Sequence, residues 1–98
     1  MLYVMYCRDR EGAGEIRQAN RPAHLEYAKG STLLQMAGPM LGDDGTTMIG
    51  SLFVLEADDL DSVRRFNAED PYTLAGLFAQ VEIHPFRWLL GDGVTTRG

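Results

Sequence analysis

Three side chains in this sequence could take up or release a proton near neutral pH, namely those of His24, His84 and Cys7. His24 has the strongest case, because it follows Pro22 by two residues in a helical segment and could point between helix and sheet. A carboxylate bonded to one imidazole nitrogen fixes the tautomer and makes the other nitrogen more basic. Asp70 is our candidate for that carboxylate, so the pair predicts general acid–base catalysis.

Both residues also have an ordinary structural interpretation. His24 could be a half-exposed helical histidine without a role. Asp70 could serve only as a cap, because Asp before Pro71 and Tyr72 is typical of a turn in which the carboxylate accepts a backbone hydrogen bond and the proline presets φ for a helix start. The residue pattern alone leaves both interpretations open.

The other candidates favour structural roles. His84 lies in an apolar strand and precedes Pro85, which favours an edge position. Cys7 is the only cysteine, so it makes no internal disulfide, and in a strand pattern it is typical of core packing. Two distant histidines do not have the spacing of a metal site. The sequence also contains no phosphate-binding glycine motif and no nucleophile elbow. We therefore expect no metal and no cofactor.

Composition narrows the classes of partner. The 98 residues carry a net charge of −5, and Lys29 is the only lysine, which argues against nucleic-acid binding. The first residues have no signal-peptide pattern, and the longest uncharged stretch, residues 31–42, is too short to span a bilayer. We therefore expect a cytoplasmic protein without membrane contact that meets small molecules.

The first half of the chain predicts a strand, a helix and a hairpin. Residues 2–7 predict a strand, and a helix follows the glycines at 12 and 14 and ends near Lys29. Its predicted inner face consists of Ile16, Ala19 or Asn20, Ala23 and Tyr27. Because Pro22 lies inside, the helix either kinks there or begins near Asn20.

A hairpin and a second helix are expected next. Residues 32–40 and 48–56 predict strands joined by a turn with an Asp-Gly signal, and the small residues Gly50 and Ser51 are expected to leave room above the sheet. Asp58 or Asp59 caps a second helix that buries Leu60, Val63 and either Phe66 or Asn67.

The last predicted element is a strand over residues 77–88. Alternation places Val81 and Ile83 on one side, with Phe78, Gln80, Glu82 and His84 on the other. We predict one domain over residues 1–90 and a flexible tail over residues 91–98.

The element order is strand, helix, strand, strand, helix, strand. With right-handed crossovers it gives an α+β fold of the ferredoxin-like βαββαβ type, a four-stranded antiparallel sheet with both helices on one face. The other face would then expose apolar side chains to water, so we expect two subunits to pack their sheets together as a homodimer.

Several short motifs occur here in one order. They are Arg21-Pro22-Ala23-His24-Leu25, Ala37-Gly38-Pro39, Gly50-Ser51, Asp70-Pro71-Tyr72, Ala75-Gly76 and the trio Ile83, Pro85 and Phe86. With these motifs the chain resembles the YCII-related (YciI-like) family from residue 2 to about residue 89. The resemblance implies a dimeric α+β barrel with a His and Asp pair in its site, here His24 and Asp70.

The same resemblance implies a set of supporting residues around that pair. Arg21, Gly38, Pro39 and Ser51 would line the pocket or support it, and Tyr72 of the Asp-Pro-Tyr motif joins them as a candidate ligand-binding residue. Barrels of similar architecture include muconolactone isomerases and small cofactor-free monooxygenases, an analogy of fold that does not decide the reaction.

Two functional hypotheses follow. In the first, the chain is a cofactor-free enzyme in which His24 and Asp70 move a proton on a small cyclic or aromatic substrate, in an isomerisation or elimination. Ser51 and amides near Gly38 would bind a developing oxyanion, and Arg21 would hold a substrate carboxylate. In the second, the chain is a non-catalytic ligand-binding or accessory homodimeric module. A ligand affinity that survives loss of His24 would favour the second.

Overall fold

Four strands and three helices form the domain in a computed structural model that describes residues 1–92. The strands are β1 (Leu2–Asp9), β2 (Leu34–Leu41), β3 (Met48–Glu56) and β4 (Phe78–Phe86). The helices are α1 (Gly14–Lys29), α2 (Leu60–Glu69) and the four-residue α3 (Pro71–Leu74). The segment 71–74, which the sequence predicted only as a capped turn, is thus one helical turn. Of the predicted tail, residues 93–98 lie outside the described part of the chain.

The strand order β2-β3-β1-β4, with every neighbouring pair antiparallel, is that of a ferredoxin-like sheet. This confirms the α+β class predicted from the order of the elements. Alternation along β1 turns Tyr3, Met5 and Cys7 towards the helices, where they share a core with Val63 and Phe66 of α2. No helix within residues 1–92 is long and apolar enough to cross a membrane.

Helix α1 differs from its sequence pattern in two ways. It runs unbroken from Gly14, so Pro22 lies inside it and the alternative start near Asn20 is wrong. Ala23, predicted on the inner face, is exposed, whereas Arg17, His24 and Ala28 are buried. The face of α1 that packs on the sheet therefore includes the charged Arg17 and the titratable His24, and it does not include Ala23.

The alternation predicted for the last strand is interrupted by a bulge. Arg8 of β1 is paired with Gln80, but the next residue, Asp9, is paired with Phe78, so Ala79 is left as an extra residue. One extra residue reverses the sides before and after it. Phe78 consequently packs on the same core as Val81 and Ile83, and its predicted place on the opposite side is wrong.

Gly50 does not leave room above the sheet, contrary to the sequence prediction. A Cβ atom there would overlap the carbonyl oxygen of Cys7 and lie 2.6 Å from the terminal methyl of Met40. A glycine is needed because the backbone of β1 and a side chain of β2 approach it closely. Of the two small residues, only Ser51 borders open space.

We expect Gly50→Ala to lower the free energy of unfolding by about 1–3 kcal/mol, because the added methyl group overpacks a site bounded by backbone. Urea unfolding followed by circular dichroism measures the change. Gly30→Ala is the control, since a Cβ at Gly30 meets only atoms at 3.6 and 3.7 Å, an ordinary contact distance. Equal stability of the two variants would contradict the close approach at Gly50.

Candidate active site

His24 and Asp70, 46 residues apart in sequence, are in direct contact. His24 Nδ1 lies 2.8 Å from Asp70 Oδ1 and 3.0 Å from Oδ2. Asp70 Oδ1 also accepts a hydrogen bond from the backbone N–H of Tyr72 at 2.9 Å, which is the cap of α3. Asp70 is fully buried, so both the cap and the contact with the imidazole are made away from solvent. Capping and pairing are therefore compatible roles of one carboxylate.

Aromatic rings hold the imidazole of His24 in place. The ring of Tyr72 stacks on it with centroids 4.0 Å apart and planes inclined by 12°, and Phe53 meets it edge-on at 6.0 Å. Within residues 1–92, His24 Nε2 has no hydrogen-bond partner, and no fully enclosed side-chain nitrogen or oxygen lacks one. Because His24 lines a cavity, we infer that Nε2 faces the space where a ligand would sit.

Arg17 is the charged residue that the sequence interpretation missed. It is only 5% exposed, and its Nε and Nη2 atoms donate to the two carboxylate oxygens of Asp9 at 2.8 and 2.9 Å. Nη2 also donates to Ser51 Oγ at 2.9 Å, and the guanidinium carbon lies 4.8 Å from the ring centre of Tyr72. Arg17 therefore connects the end of β1 to Ser51 and to the ring that stacks on His24.

A signal for Arg17 was present in the sequence. Arg17 precedes His24 by seven residues, which is two helical turns, so the two side chains share one face of α1. Asp9 could be placed beside it only by knowing that β1 extends two residues past Cys7.

The pKa values of Arg17 and Tyr72 are both raised in this cluster. Burial opposes ionisation of Arg17, but the hydrogen bonds and charge of Asp9 outweigh it and raise the pKa of the guanidinium. Burial raises the pKa of the Tyr72 phenol, against the opposing positive charges of Arg17 and Arg21. At neutral pH Arg17 is therefore cationic, and Tyr72 keeps its proton.

A cavity of about 240 Å³ opens between α1 and the hairpin of β2 and β3. Its lining contains every predicted site residue except Asp70, which lies behind His24: His24, Arg21, Gly38, Pro39, Ser51 and Tyr72. Arg17 and Lys29, which were not predicted, also line it. The structure thus brings the predicted residues together around one space.

His84 and Cys7 lie away from this cavity. His84 is on the edge strand β4 with 65% of its side chain exposed, and its nearest polar partner is Glu82 at 3.5 Å. Cys7 is fully buried in the core beneath the helices. Within residues 1–92, no group of three or more His, Cys, Asp or Glu side chains is placed to hold a metal ion.

The buried thiol of Cys7 should be inert. Burial, followed by the negative charges of Asp70 and Asp9, raises its pKa from 9.0 to about 12. We expect negligible labelling by iodoacetamide at pH 8 in the native protein and rapid labelling in urea, because the thiolate is the reactive form.

The same shift has a consequence for stability. The unfolded thiol loses its proton near pH 9 and the folded one only near pH 12, so the free energy of unfolding should fall as pH rises between these values. Cys7→Ala should flatten that fall. Fast native labelling at pH 8 would contradict the burial of this thiol.

Comparison with known proteins gives a consistent result across most of the chain. A family model described as the YCII-related domain matches residues 1–87. Protein YciI of Escherichia coli O6:H1 is 33% identical over 95 residues, covering 89% of this chain and 97% of YciI. An uncharacterised protein of Haemophilus influenzae is 30% identical over the same shares of the two chains.

Two solved structures extend the comparison to the fold. The 5-chloro-2-hydroxyhydroquinone dehydrochlorinase TftG of Burkholderia phenoliruptrix AC1100, in complex with 2,5-dihydroxybenzoquinone, is 38% identical, with a TM-score of 0.80 over 93% of this chain and 96% of TftG. SnoaB, a cofactor-independent oxygenase of Streptomyces nogalater, superposes with a TM-score of 0.56 at 12% identity, over 93% of this chain and 96% of SnoaB. The second likeness is one of fold alone.

Proposed function

Because this chain belongs to the YCII-related domain family, as its motifs indicated, we propose that it is an enzyme that transfers a proton on a small hydroxylated ring compound through His24 and Asp70. One arrangement carries the proposal: a buried carboxylate contacts Nδ1 of an imidazole that lines a cavity and whose Nε2 has no hydrogen-bond partner among residues 1–92. The similarity to TftG, which is named as a dehydrochlorinase, favours an elimination over an isomerisation.

The pair divides the chemistry between its two members. Asp70 accepts a hydrogen bond from Nδ1–H, which keeps the proton on Nδ1 and leaves the lone pair of Nε2 available to the substrate. As Nε2 takes up a proton, the carboxylate stabilises the imidazolium that forms. Proton transfer by a positioned group of this kind contributes roughly 10²- to 10⁴-fold in rate.

The cavity suits a single ring. Its volume of about 240 Å³ lies below the range of roughly 300–1,000 Å³ that is common for drug-sized ligands. Phe53 and Leu34 supply apolar lining, while Ser51, Arg17 and Arg21 supply polar groups. A flat ring that carries several oxygen substituents matches this combination.

Elimination from a chlorinated trihydroxybenzene can be written with His24 as the proton carrier. The hydroxyl beside the chlorine-bearing carbon gives its proton to Nε2, and that carbon then receives a proton as the oxygen becomes a carbonyl. The C–Cl bond breaks with its electron pair on chloride, while the hydroxyl para to the new carbonyl loses its proton. The products are a hydroxybenzoquinone and HCl, and the step needs no oxidant. One imidazole serves both transfers because the two protonated atoms are neighbours.

The direct test is chloride release from 5-chloro-2-hydroxyhydroquinone by the purified protein, treated with a chelator and kept anaerobic to prevent oxidation of the substrate by air. We expect one chloride for each quinone formed, at a rate that scales with protein concentration. Binding of the compound without release of chloride would refute the catalytic proposal. It would favour the alternative of a ligand-binding or accessory module.

We propose that a second copy of this chain covers the face of the sheet opposite the helices. Val4, Tyr6 and Leu52 alternate with the core residues of β1 and β3 and are only half-buried, and Met36 of β2 is 48% exposed. Such a face is rarely left open to water. We expect a dimer in sedimentation equilibrium and a monomer for Leu52→Glu. The cytoplasmic location and the independence from cofactors stay predictions.

A further inference from the structure

A second space lies beside the cavity that His24 lines. It is an open groove of about 610 Å³ between the first turns of α1 and the turn of the hairpin formed by β2 and β3. Three residues line both the groove and the cavity, namely Arg17, Arg21 and Met48. These three side chains therefore form the boundary between the two spaces.

The three boundary residues differ in how they are held. Arg17 is fixed by two hydrogen bonds to Asp9 and a third to Ser51. Arg21 is exposed, and a long side chain at the surface keeps its rotamer freedom. Met48 is half-buried and uncharged, so it acts through its size, and shortening it leaves no buried charge unpaired. Met48 is therefore the part of the boundary whose bulk limits how far the cavity extends.

A β-bulge turns Met48 towards the cavity. The residues paired with Gly50 and Met48 are neighbours in β2, so Ile49 of β3 is an extra residue. In a regular strand, Met48 would lie on the opposite side of the sheet from Ser51, because the two are three positions apart. With the extra residue, both line the cavity. Bulges next to functional sites often redirect a side chain in this way.

The turn that precedes Met48 is held by hydrogen bonds. Asp44 Oδ1 accepts from the backbone N–H groups of Thr46 and Thr47, both at 2.9 Å. The N–H of Gly42 donates to the carbonyl oxygen of Thr47 at 2.8 Å and closes the hairpin. A ligand that presses on this wall therefore meets a fixed backbone, and the side chain of Met48 is what it must displace.

From this placement we infer that Met48 determines the largest ligand the cavity accepts, by separating the cavity from the groove outside it. A single ring fits within the boundary, whereas a ring that carries a second ring meets the methionine side chain and is excluded. The inference rests on the proposed function for the kind of ring. It adds a residue that selects the substrate by size to the residues that transfer the proton.

Binding, measured apart from turnover, tests the inference. We would titrate the protein by calorimetry with 2,5-dihydroxybenzoquinone and with its 3-phenyl derivative, which keeps both hydroxyl groups and adds one ring. The two unsubstituted carbons of the parent compound are equivalent by symmetry, so the derivative covers both positions. The wild type should bind the parent compound at least about 10-fold more tightly, as expected when a pocket excludes an added group. Equal affinities, or no binding of either compound at millimolar concentration, would overturn the inference.

Variants assign the size limit to a residue. Met48→Ala should bind the phenyl derivative about as tightly as the parent compound, because the added ring extends into the groove. Met48→Leu keeps most of the volume and should keep the wild-type preference. Met36→Ala makes the same chemical change as Met48→Ala on the face of the sheet away from the cavity and should also keep it. A wild-type preference in Met48→Ala would overturn the assignment.

Two additions complete the test. Met48→Val, which is also shorter and suits a strand, carries the test if Met48→Ala does not fold. Chloride release by the wild type separates the inference from the proposed function. If the wild type prefers the single ring but releases no chloride from the chlorinated substrate, the inference stands and the proposed function fails. If chloride is released but shortening Met48 does not change the preference, the proposed function stands and the inference fails.

Discussion

His24→Asn is expected to lower kcat/KM for chloride release by about 10²- to 10⁴-fold, the contribution of a positioned proton-transfer group. Asparagine is the informative replacement, because its amide nitrogen occupies the place of Nδ1 and can still donate to Asp70. The variant thus removes the base at Nε2 and keeps the buried carboxylate paired. Alanine would leave that carboxylate without a partner and would mix a loss of stability with the loss of catalysis.

Asp70→Asn belongs to the same test. An amide at this position no longer requires Nδ1 to carry the proton, so the tautomer with a free Nε2 lone pair is no longer enforced. If the two residues act as one unit, the double variant should be no slower than His24→Asn alone. Losses that multiply in the double variant would show that the two act independently.

The second histidine supplies the control for both variants. His84→Asn makes the same chemical change on β4, outside the cavity, and should keep wild-type kcat/KM. Thermal unfolding of every variant checks that each is folded under the assay conditions. Activity retained by His24→Asn would refute the role of the imidazole.

The contact between His24 and Asp70 could be predicted from the sequence because each of the two residues lies in a recognisable local motif. The predicted order of elements places the first helix beside the corner that follows the second helix, and Asp before Pro marks where that corner begins a new helical turn. Topology then brings together residues that lie 46 positions apart. The motifs added the identity of the lining residues Gly38 and Ser51.

The features that the sequence did not predict depend on distant neighbours. The bulge at Ala79 adds one residue to β4 and so reverses which side of the sheet Phe78 lies on. The local alternation of apolar and polar residues does not predict this bulge. The close approach at Gly50 arises from the backbone of β1, more than forty residues earlier. A buried arginine contradicts the ordinary preference of that residue for the surface and is tolerated only with a partner such as Asp9.

Arg17→Gln is expected to lower the free energy of unfolding by about 3–5 kcal/mol, because Asp9 would stay buried without its counter-charge. Only 8% of the Asp9 side chain is exposed, and both of its oxygens accept hydrogen bonds from Arg17. In a domain of this size each 1 kcal/mol corresponds to roughly 4–8 °C in Tm. Differential scanning calorimetry should therefore show a fall in Tm of more than about 12 °C.

The double variant Asp9→Asn/Arg17→Gln separates the two consequences of the ion pair. With both charges gone, no buried charge is left alone, so most of the lost stability should return. Turnover of the chlorinated substrate should not return with it, because Arg17 lines the cavity and its charge is still missing. Recovery of both properties would mean that Arg17 serves the fold only, whereas recovery of stability alone assigns it to the site. A Tm that stays low would show that the arginine stabilises chiefly by packing against Tyr72.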